Sequence, residues 1–456
     1  MTQTIAAMSP ELIAARIERL PVSPWHTRIR LILGTATFFD AFDVLAIAFV
    51  MPVLAQLWKL TPPQIGLLIS AGYAGQVLGA MIFGALAERL GRIRTLNLTI
   101  VIISMFGFAC AFAPSYWVLI VLRFLQGIGL GGELPVAATY INEIAKTHRR
   151  GRFVLLFQAI FPAGFLAAAL ASVLVVPTLG WQWMFVIGAI PAFLIIPIRR
   201  HVPESPRWLA RIGRLEKADE VLSQIEKQVS QDGRVPLPPI PTSFPKSSAN
   251  ASEWKELFRS SYAKRTIALW VMWSCSGAIS YGLQTWLPTF LSSVYKMSVR
   301  DALGYNLVGY VILLAAIVAC ALFIDRVGRR RNFLLGFLVA TAILIVLWMI
   351  AERSTGPIVW ALAMLTATFN GIIQLAFWLY APEIYPTRMR ALGVGWASAC
   401  SRIAAMIMPA IVGVIIQAAG LSVVFLVFAV LGFVGFITAF SLAIETKDRL
   451  LEEISP

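Results

Sequence analysis

The chain has 456 residues, of which 59% are hydrophobic and only 13% charged, well under the quarter or so of charged residues that a soluble globular chain carries. Its mean hydropathy is +0.78, and apolar runs of roughly 20 residues recur from end to end, each long enough to cross a ~30 Å hydrocarbon core, which excludes a soluble multidomain protein. The net charge of +15 lies in short basic clusters between the apolar runs and makes no continuous face, so nucleic acid is not the partner it implies.

The N-terminal residues spread Glu11, Arg16 and Glu18 over a mixed stretch. They have no short apolar core with a small-residue cleavage site, so no removable signal peptide is expected and the first spanning helix serves as its own insertion signal. Apolar segments follow near Leu31–Leu54, Gln64–Ala87, Leu96–Ala113, Tyr116–Tyr140, Phe153–Val176 and Trp183–Ile198. After the polar stretch His201–Lys264, six more lie near Thr266–Phe290, Leu303–Phe323, Phe333–Ala351, Pro357–Tyr380, Leu392–Ala418 and Leu421–Ile444. Within the polar stretch, Glu204–Gln228 has helical character, whereas Pro236–Ser252 is rich in Pro and Ser. The expected architecture is an all-α membrane protein of twelve transmembrane helices. It comprises an N-terminal segment (1–30), a first six-helix bundle (31–198), a helical cytoplasmic insert (199–264), a second six-helix bundle (265–444) and a tail (445–456).

Orientation follows from Lys and Arg in the short loops. Arg89/Arg92/Arg94, Lys146/Arg149/Arg150/Arg152, Arg326/Arg329/Arg330/Arg331 and Arg388/Arg390 fall on one side together with both termini and the insert, which makes that side cytoplasmic. Cys110, Cys275, Cys320 and Cys400 lie inside apolar runs without paired spacing or a His partner, so neither a disulfide framework nor a metal site is expected.

The two halves repeat one another. Glu88-Arg89-Leu-Gly91-Arg92-Ile-Arg94 follows the second apolar segment and Asp325-Arg326-Val-Gly328-Arg329-Arg-Arg331 follows the eighth. Tyr140-x-x-Glu143 leads to Arg150 after the fourth, and Tyr380-x-x-Glu383 leads to Arg390 after the tenth. Parallel six-helix repeats are the mark of an alternating-access transporter with its solute site between the halves near the midplane. These loops resemble the major facilitator superfamily over essentially the whole chain, with Glu88 where Asp is usual. The runs Arg123-Phe-Leu-Gln126-Gly127-x-Gly129, Pro203-Glu204-Ser205-Pro206-Arg207-Trp208-Leu209 and Tyr380-Ala-Pro-Glu383 resemble its sugar-porter and organic-ion branch. Tyr281-Gly-Leu-Gln284-Thr-Trp286-Leu-Pro288 departs from the sugar-porter seventh helix. With Phe39-Asp40-Ala-Phe-Asp43 it resembles bacterial niacin and aromatic-acid proton symporters, which argues against hexose.

Few ionisable groups lie within the apolar runs, and each is costly there. Asp40 and Asp43 sit one turn apart in the first segment, Arg123 and Glu133 in the fourth and Arg402 in the eleventh. His26, His148 and His201 all fall outside the runs, so proton coupling, if present, uses carboxylates. The resemblance implies a helix-one Asp facing Arg123, and either Asp40 or Asp43 satisfies it. A permanent neutralising pair is the alternative. Glu133 shares a helix face with Gln126 and either lines the cavity or pairs with a cytoplasmic-side Arg. Arg402 either takes the carboxylate of an anionic solute by a bidentate contact or pairs with Glu133 or Asp43. Tyr281, Gln284, Trp286, Asn370, Gln374 and Trp378 offer rings and amides suited to a planar polar solute, though packing and interface anchoring are the ordinary uses of such residues.

The charged loops form a second constellation, a cytoplasmic gate of Glu88, Arg89, Arg92, Glu143, Arg150, Asp325, Arg326, Arg329, Glu383 and Arg390, in which paired charges latch the cytoplasmic side when the protein opens outward. Topology alone requires the arginines but not the acids. No nucleotide-binding loop and no catalytic constellation occur, so neither an ATP-driven pump nor an enzyme is expected. The expected protein is a monomeric, multi-pass inner-membrane symporter of a small organic anion, nicotinate or another aromatic carboxylate. It uses no cofactor and is driven by the proton gradient. A sugar, polyol or organic-cation carrier or facilitator, and a non-transporting sensor, are the competing readings.

Overall fold

The structure, a computed structural model, describes residues 9–21, 23–144, 157, 160–231, 233–240, 254–386 and 389–446. Among them there is no strand, and twelve helices are long and apolar enough to cross a membrane. Spans 1 to 6 are Pro24–Leu57, Pro62–Leu90, Arg92–Cys110, Tyr116–Ile144, Ile160–Leu179 and Gln182–His201. Spans 7 to 12 are Tyr262–Val294, Val299–Cys320, Arg329–Ile350, Gly356–Glu383, Leu392–Ala419 and Leu421–Leu442. The helical insert consists of Pro206–Arg211 and Leu215–Val229, and a further helix, Pro10–Arg19, precedes span 1.

Local chemistry sets the helix ends. Pro24 and Pro62 occupy first turns, where the missing N–H costs nothing. Span 1 therefore starts ahead of the apolar run at Leu31, with Arg28 and Arg30 in its first two turns. Spans 2 and 3 are joined by the single residue Gly91 at φ 101°, and span 8's helix is joined to span 9 by Gly328 at φ 90°. A side chain is strained at such angles, which is why both repeats keep the glycine.

Within the first half, spans 2 and 4 pack backbone to backbone. A Cβ on Gly75 or Gly79 would meet carbonyl oxygens of Phe124 and Ile128, and one on Gly127 or Gly131 would meet those of Gly72 and Gln76. Small residues substitute here for the hydrophobic drive that lipid removes. Large apolar side chains such as Met81, Phe193, Met349 and Phe440 stand exposed, as expected of a lipid-facing surface.

The halves meet at the end remote from the insert. Gly66 of span 2 lies against the backbone of Pro409 in span 11, Gly413 lies against Pro62, and Trp286 donates its indole N–H to the Pro409 carbonyl at 3.1 Å. Nearer the middle, Tyr310 of span 8 packs on Phe49 and Phe165, and Tyr73 of span 2 on Tyr281 of span 7. At the insert-side ends of spans 2 and 11 the space around Gly84 and Gly395 is open.

Candidate functional site

Two constellations form, one at mid-membrane and one at the insert-side ends. At mid-membrane, spans 1 and 4 run antiparallel, so the order of their charges reverses. Asp43 is felt by Arg123, the nearer of the two to the remote end, while Asp40 is felt by Glu133. Arg123 is buried and held from three directions. Its Nη1 donates to Gln126 Oε1 at 2.7 Å, its guanidinium lies 5.9 Å from the Phe185 ring centroid, and Gly72 makes room for it. Asp43 is wholly buried, with both carboxyl oxygens lacking a hydrogen-bond partner. It fits only because Gly188 of span 6 has no side chain: a Cβ there would overlap Oδ1.

The second cluster joins the halves. Arg402 of span 11, partly exposed, acts electrostatically on Asp40, Glu133 and Tyr281. Glu133 accepts a hydrogen bond from Thr37 Oγ1 at 3.4 Å, while its Oε2 and the Oδ1 of Asp40 have no partner. Arg402 is therefore within electrostatic reach of two first-half carboxylates, and of the two helix-one acids it is Asp43 that feels Arg123.

The proposed solute contacts divide. Tyr281 faces the interface between the halves against Tyr73, and Gln284 one turn on has a buried Oε1 without a partner. Three others make hydrogen bonds within the protein. Gln126 is fully buried holding Arg123. Asn370 accepts from Ser276 Oγ at 2.8 Å and donates to the Ser276 carbonyl at 2.8 Å and to Ser280 Oγ at 2.7 Å. Trp286 spends its N–H on Pro409 in the closed remote end. Gln374 accepts from Trp273 Nε1 at 3.0 Å, and Trp378 packs edge-on to that ring, which puts both in the second half's aromatic core. Sequence reasoning missed Tyr73, whose buried hydroxyl has no partner and feels Arg123. Its polar ring amid the small residues Ser70-Ala-Gly-Tyr73-Ala-Gly was the available signal.

At the insert-side ends the charges expected to latch the cytoplasmic side form a network within each half. Buried Arg92 donates from Nη2 to Glu143 at 2.7 Å and to Glu88 at 3.0 Å, and from Nη1 to the Ala87 carbonyl at 2.7 Å. Glu88 also pairs with Arg211 of the insert. The counterpart, Arg329, pairs with Glu383 at 3.0 Å. Arg89 is exposed and Arg390 opens the helix of span 11. Arg150 lies outside the described residues, and of Asp325 and Arg326 only the backbone is described.

The tyrosines of the repeat have a matching use. Tyr140 donates its hydroxyl to the Pro203 carbonyl at 2.7 Å, and Tyr380 accepts from the Ile444 N–H at 3.1 Å. Each fixes the segment that follows the last span of its half. There Glu204 accepts from the backbone N–H of Arg92 at 2.9 Å and of Ile93 at 3.2 Å, while Glu445 accepts from Arg329 at 2.9 Å and Arg330 at 3.2 Å. Both carboxylates thus sit at a helix N-terminus, where free N–H groups and the dipole favour an anion. Trp208 adds a hydrogen bond from Nε1 to the Glu88 carbonyl at 2.9 Å. Burial pushes the Glu204 carboxyl above its ordinary range, against the pull of the backbone N–H groups of Ser205, Ile93 and Arg92.

Comparisons with known proteins identify the family and the fold. The niacin transporter NiaP of Acinetobacter baylyi is 35% identical over 445 residues, covering 97% of this chain and 99% of that protein. The 4-hydroxybenzoate transporter PcaK of the same organism is 30% identical over 397 residues, covering 86% and 85% respectively. The inward-open structure of the xylose transporter XylE from E. coli superposes with a TM-score of 0.72 at 18% identity, covering 94% of this chain and 99% of that one, which shows the shared fold. The protein is a multi-pass membrane transporter of a small-molecule solute and not an enzyme. With the family model for sugar (and other) transporters matching residues 36–456, the chain belongs to that family, within the major facilitator superfamily.

Proposed function

We propose that the protein is a proton-coupled symporter of a small aromatic carboxylate, working by alternating access as a monomer in a bacterial inner membrane, with both termini and the insert cytoplasmic. The observation that carries this reading is Arg402 of the second half within electrostatic reach of Asp40 and Glu133 of the first. A guanidinium facing two buried carboxylates has little need of a third anion. Once protons occupy those carboxylates, Arg402 becomes free to take the solute's carboxylate through a bidentate contact, so proton and anion load together. Tyr73 and Tyr281 supply ring faces beside it. The names of two relatives, a niacin and a 4-hydroxybenzoate transporter, indicate the same solute class. The insert-side networks serve as the gate by bracing each half, so that closure brings the ends of spans 2 and 11 together around Gly84 and Gly395.

The test is uptake of labelled nicotinate and 4-hydroxybenzoate into proteoliposomes with and without a pH gradient. Asp40→Asn and Asp43→Asn are expected to abolish gradient-driven accumulation while retaining counterflow. Arg402→Ala is expected to weaken binding of the acids roughly ten- to a hundredfold, the value of a charged hydrogen bond or two, and to spare the neutral amide of the same ring. Full accumulation by both aspartate variants would overturn the coupling.

A further inference from the structure

At the insert-side end of span 3, a cavity of about 430 Å³ opens between that span and the end of span 6, lined by Ile93, Arg94, Asn97, Arg199, Val202 and Glu204. Arg94 and Arg199 stand exposed on its two walls, and neither makes an ion pair among the described residues. Asn97 is only 9% exposed, yet its Oδ1 has no hydrogen-bond partner, a costly condition for a buried acceptor. Glu204 makes no ion pair with either arginine; its oxygens are directed at the N–H groups of Arg92, Ile93 and Ser205. Away from the cavity, along the membrane, the same two spans expose Leu98, Val101 and Met105 on one side and Phe193 and Ile196 on the other. Leu98, Val101 and Met105 follow Arg94 at helical spacing, so the arginine heads an apolar stripe.

We propose that this groove binds an anionic phospholipid, with its phosphate between Arg94 and Arg199, a headgroup hydroxyl donating to Asn97 Oδ1, and an acyl chain on the exposed stripe. The polar chemistry requires a phosphate ester bearing a hydroxyl, which phosphatidylglycerol has. Phosphatidylcholine offers no donor and carries a cation towards the two arginines, and phosphatidylethanolamine carries an ammonium there. The larger groove on the other flank of span 6, about 830 Å³ and lined in part by Arg28, Leu31 and His201, lacks such an unpartnered group. There His201 Nδ1 lies 3.1 Å from the Pro197 carbonyl and Ser23 Oγ 3.0 Å from His26 Nδ1, so Arg28 provides the control.

The experiment is native mass spectrometry of the purified full chain equilibrated with phosphatidylglycerol, phosphatidylcholine and phosphatidylethanolamine, counting retained lipid. One phosphatidylglycerol should be retained in preference to the other two. Arg94→Gln and Arg199→Gln should each lower its retention about fivefold, and Arg28→Gln should leave it unchanged. Both arginines are exposed, so their replacement does not disturb packing; Asn97→Leu should lower retention as well. Equal retention by wild type and both arginine variants overturns the proposal. So does displacement of phosphatidylglycerol from wild type by soluble glycerol phosphate at equal concentration, which would assign the site to a free anion. If an arginine variant does not fold, competition on wild type decides: phosphatidylcholine displacing phosphatidylglycerol one for one overturns the assignment.

Discussion

Glu204 accepts the backbone N–H of Arg92, 112 residues earlier, at 2.9 Å, and Glu445 accepts that of Arg329, 116 residues earlier, at the same distance. Each half thereby ends by returning its chain to the start of its own third helix. Ser205 and Thr446, the next residues, extend the likeness by each donating a backbone N–H at 3.0 Å to the neighbouring carboxylate.

The Glu204 carboxyl lies above its ordinary range because burial penalises the anion. A raised acid contributes stability that is complete below the ordinary carboxyl range and is lost as pH rises through the raised value. Wild-type melting temperature should therefore carry a component that falls as pH rises through and above the ordinary carboxyl range. Glu204→Gln lacks this component, so its margin relative to wild type should improve as pH rises there. A constant margin, read by thermal scanning at several pH values, would show that Glu204 does not titrate there.

Gly188 is a packing requirement of the mid-membrane charge site. A methyl group at this position would occupy the space of Asp43 Oδ1, so Gly188→Ala must displace the carboxylate or span 6. Overpacking of this kind costs about 1–3 kcal/mol. Melting temperature should fall, and uptake should drop with it although no charged group has been altered. Wild-type uptake in the alanine variant would mean that Asp43 tolerates displacement.

The helix Pro10–Arg19 is clamped to the insert. Arg16 pairs with Glu226 at 2.8 Å and with Asp219, and Arg19 pairs with Glu226 at 2.6 Å. Burial works to raise the Glu226 carboxyl, but the hydrogen bonds from Arg16 and Arg19 outweigh it and hold the group below its ordinary range. A lowered acid stabilises above the ordinary range and loses that contribution as pH falls through the lowered value. The protection of the Pro10–Arg19 amides, exchange measured relative to each amide's intrinsic rate at that pH, should thus weaken in acid. Arg16→Ala should weaken it roughly tenfold at neutral pH, about 1–2 kcal/mol of clamp. Unchanged exchange in Arg16→Ala would assign the helix's docking to its apolar face alone.

The spans, the duplication and the charged loops were legible because apolar length, Gly91 and Gly328, and the Tyr140/Glu143 and Tyr380/Glu383 repeats are local patterns. The pairing of charges inside the membrane was not. Which of Asp40 and Asp43 faces Arg123 depends on helix rotation and on the antiparallel order of spans 1 and 4, neither of which spacing records. Gln126, Asn370 and Trp286 carry the chemistry of solute contacts, and only their partners reveal that Arg123, Ser276 and Pro409 already occupy them. Of the expected gate acids, Glu88 and Glu143 pair with Arg92 and Glu383 pairs with Arg329. These partners lie within one half, which the spacing of the charges does not record. The Pro203–Leu209 run was visible as a motif, but its purpose rests on Arg92, a hundred residues away.

The doubled return of chain to helix has a consequence for how the molecule can be divided. Among the described residues, the hydrogen bonds and ion pairs that fasten the first half's insert-side end lie at or before Val229, and those that fasten the second's lie between Trp254 and Thr446. Two polypeptides separated between Val229 and Trp254 and made in the same cell would each arrive with these braces, and would meet in the bilayer through the apolar contacts around Pro409, Tyr310 and Tyr73.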